Sequence, residues 1–277
     1  MSYPKLLTIQ DISCVGQCSL TVALPVISAC GVEACVLPSA VLSTHTGGFT
    51  GFTFRDLTDD MPAIKDHWCK ESIAFDAIYT GYLGSTKQIA YVADIFDAVA
   101  AEGCVKIVDP AMADNGNLYY GFDMEFVAAM RTLVAKADYL LPNVTEACFL
   151  TGIEYKTTYD EAYVASLIDA LKALGCKNVV LTGISYAEGK TGVVVAEDGV
   201  TRYYEHERVA NGCHGTGDIY ASAFAGALLR GKTAFEAAQI AANYVLACII
   251  ETQNHENHWY GAAFEPVLGK LIEAINA

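Results

Sequence analysis

Short apolar runs alternate with stretches of helical spacing in the first part of this chain. Residues 6–10 have the apolar character of a buried strand, helical spacing follows from about Cys18 to Cys30, and residues 32–37 form a second apolar run. Gly31 falls where that helix would end. A strand, a helix and a strand in this order predict a βαβ unit, whose strands are parallel and whose crossover is right-handed.

The same alternation continues through most of the remaining sequence. It predicts strands at residues 76–80, 105–110, 137–141 and 178–183, and helices at residues 56–72, 86–101, 123–136 and 160–174. Another helix begins after Asn143, a hairpin is predicted around Asp198–Gly199, and further helices begin at Thr216, at Thr233 and near Ala262. No internal repeat or linker interrupts this order, so we expect one doubly wound α/β domain over residues 1–277.

A glycine-rich stretch precedes the helix that begins at Thr216. Residues 211–218 read Asn-Gly-Cys-His-Gly-Thr-Gly-Asp, and no Lys-Ser/Thr pair follows as it would in a Walker A loop. The stretch is either a plain glycine turn with an acidic residue behind it, or an anion site in which Asp218 takes a proton from an alcohol. The helix that follows is almost entirely apolar. This favours the anion site, because the N–H donors of a buried helix start need partners.

Polar side chains recur where the predicted parallel strands end, and in open α/β sheets that edge binds ligands. They are Asp11, Asp109, Asn143, Glu146, Thr182 and Asp218. Carboxylate and amide oxygens beside an anion site suit Mg²⁺ carried by a nucleotide, which indicates phosphoryl transfer to an alcohol. Simpler interpretations stay open, with Asp109 as a turn residue and Asn143 with Glu146 as a helix-capping pair.

Two polar loops lie beside these strand ends. Residues 43–49, which include Thr46, form either a solvated turn or a loop that faces a ligand. Residues 111–120 are polar and long enough to act as a mobile cover over the site.

Composition narrows the class of partner. The 277 residues are 53% hydrophobic, which is ample for a sizeable core, and the net charge is −15. Nucleic acids and anionic membranes need a basic surface, so neither is expected as a partner. The chain has 10 cysteines but no Cys-x-x-Cys pair, no signal peptide and no apolar stretch of membrane-spanning length. We therefore expect a cytoplasmic protein with reduced thiols.

The motifs resemble those of a known family. Gly-Thr-Gly-Asp at 215–218 is typical of the ribokinase superfamily, and Thr-His-Thr-Gly at 44–47 with Gly-Tyr at 81–82 is similar to its vitamin B6 kinase branch. Asp-Pro at 109–110, Pro-Asn-x-x-Glu at 142–146 and Val-Leu-Thr-Gly at 180–183 extend the resemblance over nearly the whole chain. It implies a ribokinase-like three-layer α/β/α fold with a mostly parallel central sheet. It also implies ATP-dependent phosphorylation of the 5′-hydroxymethyl group of pyridoxal, pyridoxine or pyridoxamine.

The resemblance further implies a role for each site residue. Asp218 would be the catalytic base, and the backbone N–H groups of Gly215, Thr216 and Gly217 would form the anion hole. The vitamer would contact Asp11, Ser13, Thr46 and Tyr82, besides Asp218. ATP would lie against Asp109, Asp114, Tyr119, Asn143, Glu146, Thr182 and Gly215, with Asp109 and Glu146 holding Mg²⁺ directly or through water. Family members are commonly cytoplasmic homodimers, so we expect a homodimer here.

The sequence departs from the family pattern at three points. Leu141 precedes Pro142 where many relatives have threonine, so one hydroxyl is missing on the phosphate or metal side. Residues 11–16 differ from the better-known pyridoxal kinases, which leaves the preferred vitamer open. Cys213 precedes the anion hole, where some relatives form a hemithioacetal with an aldehyde substrate, although a buried filler or loop residue is the simpler interpretation.

Other functions fit parts of this pattern. Hydroxymethylpyrimidine kinases share the scaffold, but their glycine motif usually continues into cysteine where this chain has Asp218. A sugar kinase would need an extra lid sheet, for which 277 residues leave little room. A non-catalytic vitamer-binding protein would not need a base at the anion site. A nicotinamide-dependent oxidoreductase would carry its glycines after the first strand, where residues 11–16 lack the Gly-x-Gly-x-x-Gly spacing.

Overall fold

The computed structural model describes residues 3–209 and 213–277. The strands within these residues are β1 (Lys5–Ser13), β2 (Glu33–Leu42), β3 (Phe54–Asp56), β4 (Phe75–Thr80), β5 (Ala100–Val108), β6 (Ala113–Asp114), β7 (Asn117–Leu118), β8 (Tyr139–Leu140), β9 (Asn178–Ile184), β10 (Lys190–Glu197) and β11 (Val200–Glu207). Nine of them form one sheet in the order β11-β10-β9-β8-β5-β4-β1-β2-β3, and β6 with β7 forms a separate hairpin. The six strands from β9 to β2 are parallel, and β10, β11 and β3 are antiparallel additions at the edges.

Helices cover both faces of the sheet. In chain order they are α1 (Leu20–Ala29), α2 (Met61–Lys70), α3 (Thr86–Ala98), α4 (Met124–Val134), α5 (Val144–Thr151), α6 (Glu161–Ala173), α7 (Thr216–Leu229), α8 (Ala234–Thr252) and α9 (Leu268–Asn276), with a short 3-10 helix at Glu265–Val267. Side chains from α2 to α6 build the hydrophobic core on one face, and side chains from α1, α7, α8 and α9 build it on the other. The predicted three-layer α/β/α fold with a mostly parallel sheet is therefore confirmed.

The strand order reverses beside β1. This strand pairs in parallel with β2 on one side and with β4 on the other, so the chain leaves β1 in one direction and returns on its opposite side. The α1 crossover packs on one face, whereas α2 and α3 pack on the other. Such a reversal opens a crevice at the carboxyl ends of the two strands, where ligands bind in open α/β sheets. Asp11 near the end of β1 and Tyr82 after β4 lie at this position.

Several predicted boundaries were wrong. The loop expected from Asp11 begins later, because β1 continues to Ser13 and pairs again with β2 after a bulge. The helix expected to reach residue 101 ends at Ala98, because Ala100 pairs with Phe75 as the start of β5. Gly103 has φ 76° inside β5, where the β4–β5 register shifts. Strand pairing overrides the weak helical spacing of an alanine-rich stretch in this case.

The antiparallel edges were predicted in part. The hairpin around Asp198 and Gly199 is confirmed as β10 and β11, and both turn residues have positive φ, 49° and 79°, as a two-residue turn requires. The short strand β3 was not predicted, and its last residue, Asp56, falls within the predicted helix at 56–72, which begins only at Met61. It pairs with residues 40–42 of β2.

The helix α8 meets the length and apolar composition of a membrane-spanning segment, contrary to the expectation that no stretch does. Core helices pass the same test. One face of α8, including Ala237, Ala241 and Cys248, is buried in the core that it shares with α7. Packing within the fold therefore accounts for the apolar residues on this face.

Candidate active site

A glycine turn opens α7 at the crevice. Gly215 is the N-cap residue with φ 78°, and a Cβ there would lie 1.6 Å from the carbonyl oxygen of Gln17, so only glycine fits. Glycine offers no side-chain oxygen, and the first-turn N–H groups of α7 receive no side-chain cap from it. A Cβ at Gly217 would meet nothing within 4 Å, so the turn is open on that side. Asn211 and Gly212 of the predicted stretch lie outside the described residues.

Asp218 lies half-buried in the first turn of α7. Burial raises the pKa of its carboxyl from 3.8 to about 7, and the negative charge of Asp11 acts in the same direction. A hydrogen bond from the backbone of Ser19 partly opposes the rise. A carboxyl with a pKa near neutrality is suited to accept a proton at physiological pH.

Asp11 is buried and held by two hydroxyl groups. Ser19 Oγ donates to Asp11 Oδ1 at 2.6 Å, and Ser13 Oγ donates to Asp11 Oδ2 at 3.0 Å. Burial raises the pKa of Asp11, and these two hydrogen bonds oppose the rise. The structure therefore brings the predicted residues Asp11 and Ser13 together. Sequence reasoning missed Ser19, although a serine directly before an apolar helix is a typical N-cap signal, because the predicted helix began one residue earlier, at about Cys18.

His45 ties the 43–49 loop to a distant segment and was also missed. The Gly47 N–H donates to His45 Nδ1 at 3.0 Å, and His45 Nε2 lies 2.8 Å from the carbonyl oxygen of Tyr260. Because Nδ1 accepts, the ring proton must be on Nε2. Burial lowers the pKa of His45, which favours this neutral form. Thr46, the predicted vitamer contact, is exposed on the same loop.

Tyr82 begins a column of aromatic rings. It is half-buried after β4, and its ring centroid lies 5.5 Å from that of Phe122 at an interplanar angle of 27°. Phe122 stacks in turn on Phe126 of α4, at 3.9 Å and 9°. Packing against Phe122 therefore fixes the position of the Tyr82 ring on one of its faces.

Asp109 and Glu146 are buried carboxyl groups at neighbouring strand ends. Glu146 Oε2 accepts from the Asn143 N–H at 2.9 Å, and Glu146 Oε1 accepts from the Met112 N–H at 3.1 Å. Burial raises the pKa of Glu146 from 4.5 to about 7. Burial, followed by the charges of Glu146 and Asp218, raises the pKa of Asp109 well above its usual range. Two carboxylates in this setting would be stabilised by a nearby cation.

The capping interpretation of Asn143 and Glu146 is confirmed. Asn143 Oδ1 accepts from the Glu146 N–H at 2.9 Å, which completes a reciprocal capping box at the start of α5. Thr182 on β9 is bridged to Asn143, and its N–H donates to the Pro142 carbonyl at 2.9 Å. The structure thus brings Asn143, Glu146 and Thr182 together at the strand ends.

The predicted cover loop contains the β6–β7 hairpin, which is tied to α5. Asn143 Nδ2 donates to the Ala113 carbonyl at 2.8 Å, and the Gly116 N–H donates to Thr145 Oγ1 at 3.1 Å. Asp114 is exposed and accepts from the backbone of the next residue at 2.8 Å. Tyr119 is 41% exposed, and its pKa is raised by burial and then by Glu146 and Asp109. Tyr119 therefore lies within electrostatic range of both carboxyl groups.

Two cysteines lie near the glycine turn, Cys18 and Cys213. Burial, followed by the charges of Asp218 and Asp11, raises the pKa of Cys18, which keeps it protonated and weakly nucleophilic. Cys213 is half-buried and packs against the core around α7. As expected from their apolar surroundings, Cys30, Cys148, Cys176 and Cys248 are buried.

Comparison with known proteins identifies the family. The phosphomethylpyrimidine kinase family model matches residues 21–263. The chain belongs to this family. Pyridoxal kinase from Lactobacillus plantarum has a similar structure, with a TM-score of 0.89, 32% identity and coverage of 98% of both chains. A Bacteroides thetaiotaomicron protein crystallised with pyridoxal gives a TM-score of 0.91 and 35% identity, covering 100% of this chain and 96% of that one.

Curated relatives include two kinds of kinase. Pyridoxal kinase of Dictyostelium discoideum is 28% identical over 247 residues, which cover 83% of this chain and 80% of that protein. Hydroxymethylpyrimidine/phosphomethylpyrimidine kinase of Mycobacterium tuberculosis is 27% identical over 255 residues, covering 90% and 89%. The predicted ribokinase-like fold and the resemblance to the vitamin B6 kinase branch are thereby confirmed.

Proposed function

We propose that this protein transfers the γ-phosphoryl group of ATP to the 5′-hydroxyl group of a vitamin B6 vitamer, as pyridoxal, pyridoxine or pyridoxamine kinase. The observation that carries this proposal is the Asp218 carboxyl, with a pKa of about 7, behind the open glycine turn of α7. The choice of a B6 vitamer as the substrate is supported by the whole-chain similarity to a protein crystallised with pyridoxal.

In the proposed transfer, residues of this chain act on the hydroxyl proton and on the phosphoryl oxygens. The Asp218 carboxylate accepts the proton of the 5′-hydroxyl group as that oxygen forms a bond to the γ-phosphorus. The bond from the γ-phosphorus to the ADP oxygen breaks. The N–H groups of Gly215, Thr216 and Gly217 stabilise charge on the phosphoryl oxygens. The products are the vitamer 5′-phosphate, ADP and a proton that leaves Asp218 for solvent.

The residues proposed to bind the nucleotide suit a Mg²⁺ ion that is also bound to its phosphates. Asp109 and Glu146 are buried carboxyl groups, and carboxylate oxygens are the donors that a hard divalent ion prefers. Among residues 3–209 and 213–277, no group of three or more His, Cys, Asp or Glu side chains could hold a metal alone. Mg²⁺ would therefore be held jointly by the nucleotide and by Asp109 and Glu146, directly or through water. It would neutralise charge on the phosphates.

The vitamer side has a flat wall and a polar end. The Tyr82 ring, fixed by Phe122, offers a surface for the pyridine ring. The Asp11 carboxylate, oriented by Ser13 and Ser19, would face polar ring substituents, and Thr46 on the exposed loop would close the open side. ATP would be contacted by Asp114 and Tyr119 from the hairpin, by Asn143 from the start of α5, and by Thr182 from the carboxyl end of β9.

Hydroxymethylpyrimidine kinase is the second candidate. It is favoured by the matching family model and by the Mycobacterium tuberculosis relative. Asp218 at the position after the glycines weighs toward the vitamer, since the pyrimidine branch usually has cysteine there. A homodimer in the cytoplasm remains an expectation from the resemblance, and a single domain over the whole chain remains an expectation from the uninterrupted order of strands and helices.

The test is ADP formation by the purified protein with Mg²⁺ and ATP on pyridoxal, pyridoxine, pyridoxamine and hydroxymethylpyrimidine separately. We expect turnover on at least one B6 vitamer, with the Asp218→Asn variant as the control for contaminating kinases. Turnover restricted to the pyrimidine would overturn the proposal in favour of the second candidate. Vitamer binding without any turnover would leave a non-catalytic binding protein.

A further inference from the structure

Ser19 has an unusual backbone conformation between two acidic residues of the candidate site. It is the N-cap residue of α1, with φ 53° and ψ −133°. This region is readily adopted by glycine and is costly for a residue with a Cβ. Backbone strain of this kind persists only where surrounding contacts enforce it, and it concentrates at functional sites.

The Ser19 side chain does not perform the usual task of an N-cap serine. Its hydroxyl makes no capping bond to the first turn of α1 and instead donates to Asp11 at 2.6 Å. The carbonyl of Ser19 still starts the helix by accepting from Val22 and Ala23, at 3.0 and 2.8 Å. Ser19 is only 5% exposed, so these contacts are shielded from water.

Ser19 also ties the start of α1 to β1 through the backbone. It is bridged to Ile12 of β1, so the N-cap of α1 is held beside Asp11. The Ser19 backbone also lowers the pKa of Asp218, against the larger rise caused by burial. The direct contact of the Ser19 side chain is with Asp11.

We propose that Ser19 is a positioning residue, which fixes the Asp11 carboxylate through its hydroxyl. This inference rests on the proposed function, in which Asp11 orients the vitamer and Asp218 accepts its proton. A change of side chain at position 19 removes the bond to Asp11 and leaves Asp218 itself unaltered.

The experiment compares Ser19→Ala and Ser19→Gly with the unaltered full-length protein. The dissociation constant for pyridoxal is measured by titration calorimetry without nucleotide, and kcat is measured at saturating vitamer. Losing a buried hydrogen bond to a carboxylate should weaken pyridoxal binding by about tenfold in both variants. The value of kcat should fall by less than about threefold, because the proposed base, Asp218, is unaltered. Equal losses in affinity and kcat would overturn the assignment of Ser19 to vitamer positioning.

Glycine and alanine at position 19 separate side-chain loss from backbone strain. Ser19→Gly should melt at least about 2 °C above Ser19→Ala, because glycine adopts φ 53° without the steric cost. Ser72→Gly is the matched control, since Ser72 also has positive φ, 56°, but is exposed after α2 and outside the site. It should change the melting temperature without changing pyridoxal affinity or kcat.

An Asp11→Asn background tests whether the hydroxyl acts through Asp11. Adding Ser19→Ala to Asp11→Asn should weaken pyridoxal binding by less than about twofold further, since the carboxylate it orients is already gone. A full additional tenfold loss would overturn the assignment, as would Ser19→Ala alone binding pyridoxal as tightly as the unaltered chain. An unaltered chain that binds pyridoxal without transferring phosphate would remove the proposed function and leave the binding comparison decisive. No binding by that chain would overturn both.

Discussion

The Glu146→Gln substitution probes the cost of a buried charge at the start of α5. Glutamine keeps the shape and one acceptor oxygen, but it places an NH₂ group where the second carboxylate oxygen stood. That group would face either the Asn143 N–H or the Met112 N–H, which the carboxylate accepts at 2.9 and 3.1 Å. One buried N–H therefore loses its partner, at a cost of about 1–3 kcal/mol.

The charge itself has an opposite and pH-dependent effect. Burial raises the pKa of Glu146 from 4.5 to about 7, so its ionised form is disfavoured in the folded protein. Protonation stabilises the fold at low pH, and this stabilisation is lost as pH rises from about 4.5 to about 7. At about 1.4 kcal/mol for each pH decade between the two values, the loss is at most about 3 kcal/mol. Glutamine has no such loss. The free energy of unfolding of the variant, relative to that of the wild type, should therefore increase by about 2–3 kcal/mol between pH 5 and pH 8.

Urea unfolding, followed by far-UV circular dichroism in EDTA at several pH values, measures this difference. Glu236→Gln is the matched control, because Glu236 forms the same capping box with Thr233 at the exposed start of α8. The bonds from Thr233 lower the pKa of Glu236. Its ionised form therefore stabilises the fold above the unfolded pKa, and this contribution is lost as pH falls. The difference in stability between Glu236→Gln and the wild type should therefore change only below a pH of about 4.5 and stay constant between pH 5 and pH 8, unlike the difference for Glu146→Gln. A Glu146→Gln difference that stays constant from pH 5 to pH 8 would refute the buried-charge reasoning.

Three further predictions concern the glycine turn, the base and the metal. Asp218→Asn should lower kcat by about 10²–10⁴-fold with ATP affinity unchanged in calorimetry; and the wild-type kcat/KM should fall below a pH of about 7, where Asp218 gains its proton. Full activity in this variant would contradict the base assignment. Gly215→Ala should unfold at a clearly lower temperature than Gly189→Ala, because a Cβ at position 215 would lie 1.6 Å from the Gln17 carbonyl oxygen. Gly189 is the control, since its φ is also positive but a Cβ there would meet nothing within 4 Å. Mg²⁺ with ADP should raise the melting temperature more at pH 8 than at pH 6, since Glu146 is ionised only above its pKa of about 7; an equal effect at both pH values would place the metal elsewhere.

Residues at strand ends could be predicted from the sequence because hydrophobic runs mark where strands stop. Asp109 and Thr182 follow such runs directly, and the structure has them at the carboxyl edge of the sheet. The two interpretations of Asn143 and Glu146 were not alternatives in physical terms. The same carboxylate caps the helix and is buried beside Asp109, so capping is confirmed while the metal role stays a prediction.

Contacts between distant segments could not be predicted. His45 bonds to the Tyr260 carbonyl across 215 positions of sequence, and no local spacing encodes that pairing. Ser19 carried a local N-cap signal, yet its hydroxyl is directed to Asp11, which only the three-dimensional arrangement of β1 and α1 decides. Gly215 was correctly singled out, but the reason that glycine is required, the carbonyl of Gln17, comes from a loop at the other end of the chain.

The shortness of β8 leaves the residues beside it to complete the joint between the two sides of the sheet. Tyr139 and Leu140 pair with β5 on one side and with β9 on the other, through two residue pairs on each side. Backbone hydrogen bonds continue beyond the strand, from the Leu141 N–H to the Val108 carbonyl and from the Thr182 N–H to the Pro142 carbonyl, both at 2.9 Å. We therefore expect the amide of Leu141 to be protected from hydrogen exchange together with the strands, although this residue lies outside β8.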